Sequence, residues 1–370
     1  MNYLTSLRGI AAVLVVLFHV KLLLADSAVA RAVVPFLSHG YLAVDFFLVL
    51  SGFIMAYKYH DTFRDGVRAR LFDFLAKRIA RIFPLHAFVM LAYLAIPVTL
   101  HLTGREYDHA QFSVSQFFYK FLLIDLWTFD QVSWKSWNVP SWTISAELLA
   151  YLLFPLLMFR FQRLRPFVVP VILAAACLAL ALSYDERECA GLGDCIGHLG
   201  LFRCLIEFAL GIGVYLAHRR TGGISARVFA AGTCVVLAAY VVLAVSPVPN
   251  YWYVPAMFAG LLYGLLGFSS FVHRFLEMRP LVFLGDISYS VYLTHVLIAE
   301  VMFRVFLAPG KMISASPWLI VSYVAVTLLI STVTYWLVEK PCRRRVYALL
   351  IGKRNPPAGV PAKEQSGARE

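Results

Sequence analysis

Apolar runs about as long as a bilayer is thick alternate with short polar stretches from the N-terminus to about residue 340. A helical crossing needs about 20 apolar residues. None of the runs shows the period-2 alternation of an outer-membrane barrel, so the pattern predicts helices. Ten spans are expected, at about 8–25, 41–58, 83–102, 140–159, 166–183, 201–217, 227–246, 254–270, 288–308 and 318–338. One further apolar stretch, FFYKFLLIDLWTF at 117–129, is short and carries Lys120 and Asp125. It reads as an interfacial or re-entrant helix, since buried backbone at membrane depth must satisfy itself. The fold class is therefore all-α, a polytopic membrane protein with about ten transmembrane helices.

Composition supports the same class. Hydrophobic residues make up 61% of the 370 and charged residues only 15%, against about half and a quarter in soluble domains. This excludes a soluble enzyme, a disordered chain and a small disulfide scaffold. The net charge of +12 would suggest nucleic acid only if it covered a soluble surface, and its distribution argues otherwise. With the N-terminus inside, 24 of the 33 Lys and Arg fall in inner segments and six in outer ones. Cationic loops stay cytoplasmic, so both termini are expected there. Crossing at 117–129 would reverse every later loop and destroy this asymmetry. Residues 1–345 form the expected membrane domain. Residues 346–370 form a cytoplasmic tail, expected to be disordered beyond about 353 because it is rich in Pro, Gly and charge. No cleavable signal peptide is expected, because no A-x-A site closes the first run and His19 interrupts it. Cys189 and Cys195 share one outer loop, where either a loop-closing disulfide or two free thiols fits.

Ionisable groups at membrane depth are costly and mark candidate function. Arg8 and His19 lie eleven residues apart. That spacing is three turns plus about 20°, so they share a helix face about 16 Å apart along the axis. A rim cation below a deep imidazole suits a long anionic ligand, although a His satisfied by a neighbouring helix gives the same pattern. Asp45, in GYLAVDFFLVLSGFIM, needs a partner or a wet cavity. Glu147, in WNVPSWTISAELLAYLLFP, lies about 10 Å below Pro140 with Ser141, Ser145 and Tyr151 nearby. It reads either as the acid that orients a catalytic His or as a structural hydrogen-bonding group. GDISYSVYLTHV carries Tyr292 and His295, which fit a substrate cavity or a polar helix contact. Arg203 with Glu207, and Glu300 with Arg304, are i,i+4 pairs expected to be structural. Arg78 and Arg81, one turn apart in a basic inner loop, suit donor phosphates or anionic lipid. The outer loop 103–139 holds Trp127, Trp134 and Trp137, two of which are expected to be interface anchors. His19, His86 and His295 lack ligand spacing, so no metal is expected.

Taken in order, these blocks resemble the acyltransferase 3 family of integral membrane acyltransferases. The resemblance is carried by Arg-x10-His at Arg8 and His19, by GYLAVDFFLVLSGFIM, and by Arg-x-x-Arg at Arg78 and Arg81. WNVPSWTISAELLAYLLFP, GDISYSVYLTHV and the closing VEKPCRR complete it. It implies an acyl-CoA donor, most often acetyl-CoA, reached from the cytoplasm. The implied acceptor is a hydroxyl of an envelope glycan such as exopolysaccharide or lipopolysaccharide O-antigen. A small-molecule or lipid acceptor is the alternative. The implied location is the bacterial inner membrane. Arg8 and His19 are implied to be essential, and Arg78 and Arg81 to help hold the donor. Many relatives carry an additional soluble domain, and this chain is expected to be a standalone member. Physical sense then assigns His19 as base, with Glu147 or Asp45 fixing its tautomer. Ser141, Ser145, Tyr151, Tyr292 and His295 are expected around the acceptor. A proton-coupled transporter is the rival class; the chain shows no internal repeat to support it.

Overall fold

The computed structural model describes residues 1–20, 37–64, 66–68, 70–128, 135–221, 234, 236, 238, 248–267, 270–306 and 317–352. Every regular element among them is helical. The helices are α1 (Asn2–Val20), α2 (Ala43–Tyr59), α3 (Leu71–Tyr93), α4 (Ala95–Leu102), α5 (Val114–Phe121), α6 (Ser141–Phe161) and α7 (Val168–Asp185). They continue as α8 (Gly197–Arg220), α9 (Val254–Leu266), α10 (Ser270–Leu276), α11 (Arg279–Asp286), α12 (Ser288–Phe306), α13 (Pro317–Thr334) and α14 (Lys340–Ile351).

Among the described residues, seven helical stretches are long and apolar enough to cross a bilayer: Asn2–His19, Gly40–Tyr59, Leu71–Leu102, Ser141–Phe161, Val168–Asp185, Leu199–Arg220 and Trp318–Ile351. An eighth candidate is broken, with Arg279–Asp286 and Ser288–Met302 meeting at 63°. Helix α9 is apolar but shorter, at 13 residues. The expected span at 227–246 lies outside the described residues apart from 234, 236 and 238, as does the tail from 353. The chain is a helical, multi-pass membrane protein, as the hydropathy pattern requires. The break at Ile287 differs from the expected loop at 271–287. Arg279 and Pro280 open α11 instead, because Pro suits the first turn of a helix.

Small residues let the central helices touch. A Cβ on Gly52 of α2 would collide with the Phe208 carbonyl of α8, and one on Gly211 with the Val49 carbonyl. Gly9 of α1 and Gly285 of α11 form the same kind of contact, with Gly285 against the Thr5 carbonyl. Without a hydrophobic drive between helices in lipid, such close approach and interhelical hydrogen bonds hold a bundle together. The segment at 117–129 gives only the eight-residue α5 and a 3-10 turn at Asp125–Thr128. Between them the chain reverses at Leu123, with φ at 59°. Lys120 and Asp125 pair at 3.1 Å with both side chains buried.

Cys189 and Cys195 form a disulfide. The loop they close supplies a carbonyl to a buried ion pair between α8 and α2. Arg203 of α8 donates Nε and Nη2 to the two carboxylate oxygens of Asp45, each at 2.6 Å, and Nη1 to the Leu192 carbonyl at 2.5 Å. Glu207 stands further off, 3.7 Å from the Arg203 Nε. The i,i+4 pair expected from sequence is thus the weaker contact, and Arg203 mainly bridges α8 to α2. A carboxylate and a guanidinium fork match in two bonds at once, which one helix turn does not offer. Glu300 accepts from Gln111 Nε2 at 3.1 Å; the Arg304 side chain, and with it the expected Glu300–Arg304 pair, lies outside the described residues.

Candidate active site

A cavity of about 800 Å³ opens between α1, α2, α3, α6, the α11–α12 break and α14. Its wall carries eight cations, Arg8, Lys58, Lys77, Arg78, Arg81, Lys340, Arg343 and Arg344, against two carboxylates, Glu147 and Asp286. Arg81 and Lys77 have acid partners just outside the lining, Glu339 and Asp73, so the cavity keeps a surplus of positive charge that repels itself, and an anionic ligand relieves that repulsion.

The two arginines of α3 differ in their engagement. Arg78 is caged by aromatics, with its guanidinium 5.4 Å from the Tyr59 ring centre and 5.7 Å from that of Tyr151. It also donates to the Tyr59 hydroxyl at 3.0 Å. Aromatic faces orient a guanidinium without neutralising it. Arg81 is neutralised by Glu339, which also accepts from Ser290 Oγ at 2.7 Å. Glu339 ends a π-helical turn at Tyr335–Glu339, the kind of local widening that often marks functional sites. No sequence motif assigned Glu339 a role. Its signal was only its place in VEKPCRR, next to a basic run that reads as a tail anchor. Lys58, Asp286, Lys340, Arg343 and Arg344 were likewise not singled out from the sequence. Arg8 has no hydrogen bond or ion pair among the described residues and faces the cavity directly.

Further in, Glu147 Oε1 accepts from Tyr151 OH at 2.5 Å and Ser51 Oγ at 2.7 Å. Thr143 and Tyr292 share a hydrogen bond of 2.8 Å. Beyond Tyr292 comes His295, with ring centres 5.9 Å apart, and then His19, whose ring meets His295 edge-on at 4.7 Å and 68°. His19 Nδ1 lies 2.9 Å from the Val15 carbonyl, and His295 Nδ1 2.7 Å from the Tyr292 carbonyl. A carbonyl only accepts, so each Nδ1 carries a proton, which in a neutral imidazole leaves Nε2 as the acceptor nitrogen. His295 is fully buried and its Nε2 has no hydrogen-bond partner among the described residues.

Arg8, Arg78, Arg81, Glu147, Tyr151 and Tyr292 therefore share one cavity wall, and His19 and His295 lie behind it. Asp45 does not join them. Both of its oxygens face Arg203, and Glu147 faces Ser51 and Tyr151, so the described hydrogen bonds put neither carboxylate on the His19 ring. The physical reason for Asp45 is that an acid at that depth takes the nearest buried cation, and Arg203 is 158 residues away in sequence. Ser141 lies apart as well. It donates to the Asn138 carbonyl at 2.7 Å and stands 3.4 Å from Lys120 Nζ. Ser145 Oγ is buried without a partner and does not line the cavity. Trp127 and Trp137 donate to the Ser145 and Ser113 carbonyls, and Trp134 lies outside the described residues. Among the described residues no cluster of His, Cys, Asp and Glu is arranged to hold a metal ion.

A multi-pass helical bundle with a cation-lined cavity, and with a buried His295 and a half-buried His19 in ring contact beyond its Tyr292 wall, defines the class. The sequence matches the acyltransferase domain profile over residues 1–336, and the chain belongs to the acyltransferase 3 family. It is 29% identical to the acyltransferase MdmB of Streptomyces mycarofaciens over 395 aligned positions, covering 97% of this chain and 94% of that protein. It is 22% identical to the O-acetyltransferase OatA of Staphylococcus aureus strain MRSA252 over 380 positions, covering 95% of this chain and 59% of OatA. The chain thus spans about three-fifths of OatA. No solved structure matches it. The protein is a membrane O-acyltransferase.

Proposed function

We propose that the protein transfers an acyl group, acetyl by default, from acyl-CoA to a hydroxyl of a cell-envelope glycan at the bacterial inner membrane. The single observation that carries this reading is the cavity. Its wall as a whole has eight cations against two acids, and a chain of ring contacts runs from Tyr292 on that wall through His295 to His19. Coenzyme A has the same polarity, with phosphates at one end and a thioester at the tip of a long thin arm. Arg8 and His19 belong to one unbroken helix and stand about 16 Å apart, a span that suits the arm. In this reading the basic end faces the cytoplasm with both termini.

The chemistry follows from the tautomer. His19 Nε2 takes the proton of the acceptor hydroxyl as the oxygen attacks the thioester carbonyl, acting as general base. The tetrahedral intermediate collapses, the C–S bond breaks, and the CoA thiolate recovers the proton from the His19 imidazolium. The products are an ester and the free thiol. The Val15 carbonyl holds the tautomer and the edge of His295 holds the ring plane. Arg8 and Arg78 bind phosphate, and Tyr151 with Glu147 shapes the passage between them and Tyr292.

Membranes containing the protein, given acetyl-CoA labelled in the acetyl group, should put label into base-labile esters on envelope polysaccharide. His19→Ala should abolish the transfer while the protein still inserts. Label that appears only in lipid or small molecules would overturn the glycan acceptor. Transfer that survives His19→Ala would overturn the mechanism.

A further inference from the structure

We propose that α14 and the end of α2 form a separate phosphate-binding limb, in which Arg343, with Lys340 and Lys58, takes the ribose 3′-phosphate of the donor. The inference rests on the acyl-CoA reading above and assigns a subsite within it.

The register of α14 against α3 carries the argument. Glu339, next to the start of α14, meets Arg81. Eight residues later, Tyr347 donates to Asp73 at 2.8 Å, eight residues before Arg81. The two helices therefore run antiparallel with residues 339 and 347 level with 81 and 73. Midway between these contacts, Arg343 stands level with Lys77, about 6 Å further toward the outer rim than Arg81. Lys58 enters from the last turn of α2, beside Tyr59, whose hydroxyl holds Arg78.

At this level the charges differ in whether they are satisfied. Lys77 has Asp73 at 2.8 Å, and Arg81 has Glu339. Lys340 lies over the Trp336 ring at 4.0 Å, which orients its ammonium without cancelling the charge. Arg343 and Lys58 line the cavity and have neither a hydrogen bond nor an ion pair among the described residues. Asp286 is the only acid of the outer wall, so the rim stays positive. Uncompensated cations at one level call for a compact dianion, and a phosphate monoester carries about two negative charges at neutral pH.

Position decides which phosphate. Arg8 lies one arm's length from His19 along α1, and it takes the pyrophosphate together with Arg78 on the same cavity wall. The 3′-phosphate is the donor's outermost anion and reaches the outermost cations. An anionic lipid headgroup has the same chemistry and could reach the same rim. Arg345 separates the two sources, since it belongs to the same basic run but is exposed and does not line the cavity.

The test needs no acceptor. The full-length protein in nanodiscs of neutral phosphatidylcholine is titrated with CoA and with 3′-dephospho-CoA, and Kd is read for each. The wild type should bind CoA about tenfold or more tighter, the effect of one charge-assisted contact. Arg343→Ala should bring the ratio to within about twofold of unity, weakening CoA about tenfold and dephospho-CoA by no more than about twofold. Lys58→Ala should narrow it partly, and Arg345→Ala should not change it. A dephospho-CoA Kd that stays within about twofold also shows that the variant is folded. A wild type that binds both ligands equally, or an Arg343→Ala that weakens both equally, overturns the inference and leaves the acyl-CoA reading intact. An Arg343→Ala effect that appears only with anionic lipid, and matches Arg345→Ala there, assigns the limb to lipid and also overturns it. A wild type that binds neither ligand overturns the acyl-CoA reading itself.

Discussion

Breaking the Asp45–Arg203 fork should damage stability rather than chemistry, and unequally from its two ends. Both side chains are buried, at 0% and 2% exposure, and the fork makes two hydrogen bonds of 2.6 Å. Removing one member of a buried pair costs about 3–5 kcal/mol, because the other charge is left unpaired. Asp45→Asn keeps a partner for Arg203, since Glu207 waits 3.7 Å from Nε and can close the gap. Its cost should fall at or below the low end, about 3 kcal/mol. Arg203→Met strands Asp45 and Glu207 together and releases the Leu192 carbonyl and its disulfide loop. Its cost should reach or exceed the high end, about 5 kcal/mol. The triple change Asp45→Asn, Glu207→Gln, Arg203→Met removes every charge and should recover most of the loss. Thermal unfolding of the detergent-purified protein, followed by tryptophan fluorescence, gives the order. Acetyl transfer at low temperature gives turnover per folded molecule, which should stay within a few-fold of wild type for Asp45→Asn. An Asp45→Asn protein as stable as wild type but without turnover would refute this reasoning and return Asp45 to the side of His19.

Three other outcomes follow from the same contacts. Glu147→Ala leaves the Tyr151 and Ser51 hydroxyls without their shared acceptor; each stranded group costs about 1–3 kcal/mol, so the melting temperature should fall, while Glu147→Gln keeps an acceptor oxygen and should fall less. Glu339→Gln exposes the Arg81 charge to the cavity, so CoA should bind more tightly at low salt, as read by titration, at some cost in thermal stability. Raising ionic strength from 0.05 to 0.5 M should weaken CoA binding severalfold, because eight cavity cations act through a screened field; a salt-independent Kd would show that they do not face the ligand.

The membrane class and most spans were legible because a 20-residue apolar run has few other uses. That Arg8 and His19 lie on one continuous helix was legible because helical phase is arithmetic. Contacts between distant segments were not. Nothing in GYLAVDFFLVL shows that Asp45 belongs to Arg203 rather than to His19, since both partners lie within reach of a carboxylate in some packing and only the Gly52–Gly211 approach selects one. The break at Ile287 was hidden because RPLVFLGD has weak hydropathy and reads as loop. Arg343 and Lys58 were hidden because a basic residue near a membrane usually serves as a headgroup anchor; the register of α14 on α3 turns Arg343 inward, and the last turn of α2 brings Lys58 to the same cavity.

The central claim is that one cavity leads from the cationic rim to His19. A structure of the protein with bound CoA, by electron cryomicroscopy, tests it most directly. The account predicts phosphate density at Arg8 and Arg78 and the thiol sulfur near Tyr292 and His295, within about 4 Å of His19 Nε2, the reach of a near-attack geometry. A ligand whose phosphates leave Arg8 and Arg78 empty, or whose sulfur lies on the far side of α1 from His19, would contradict it.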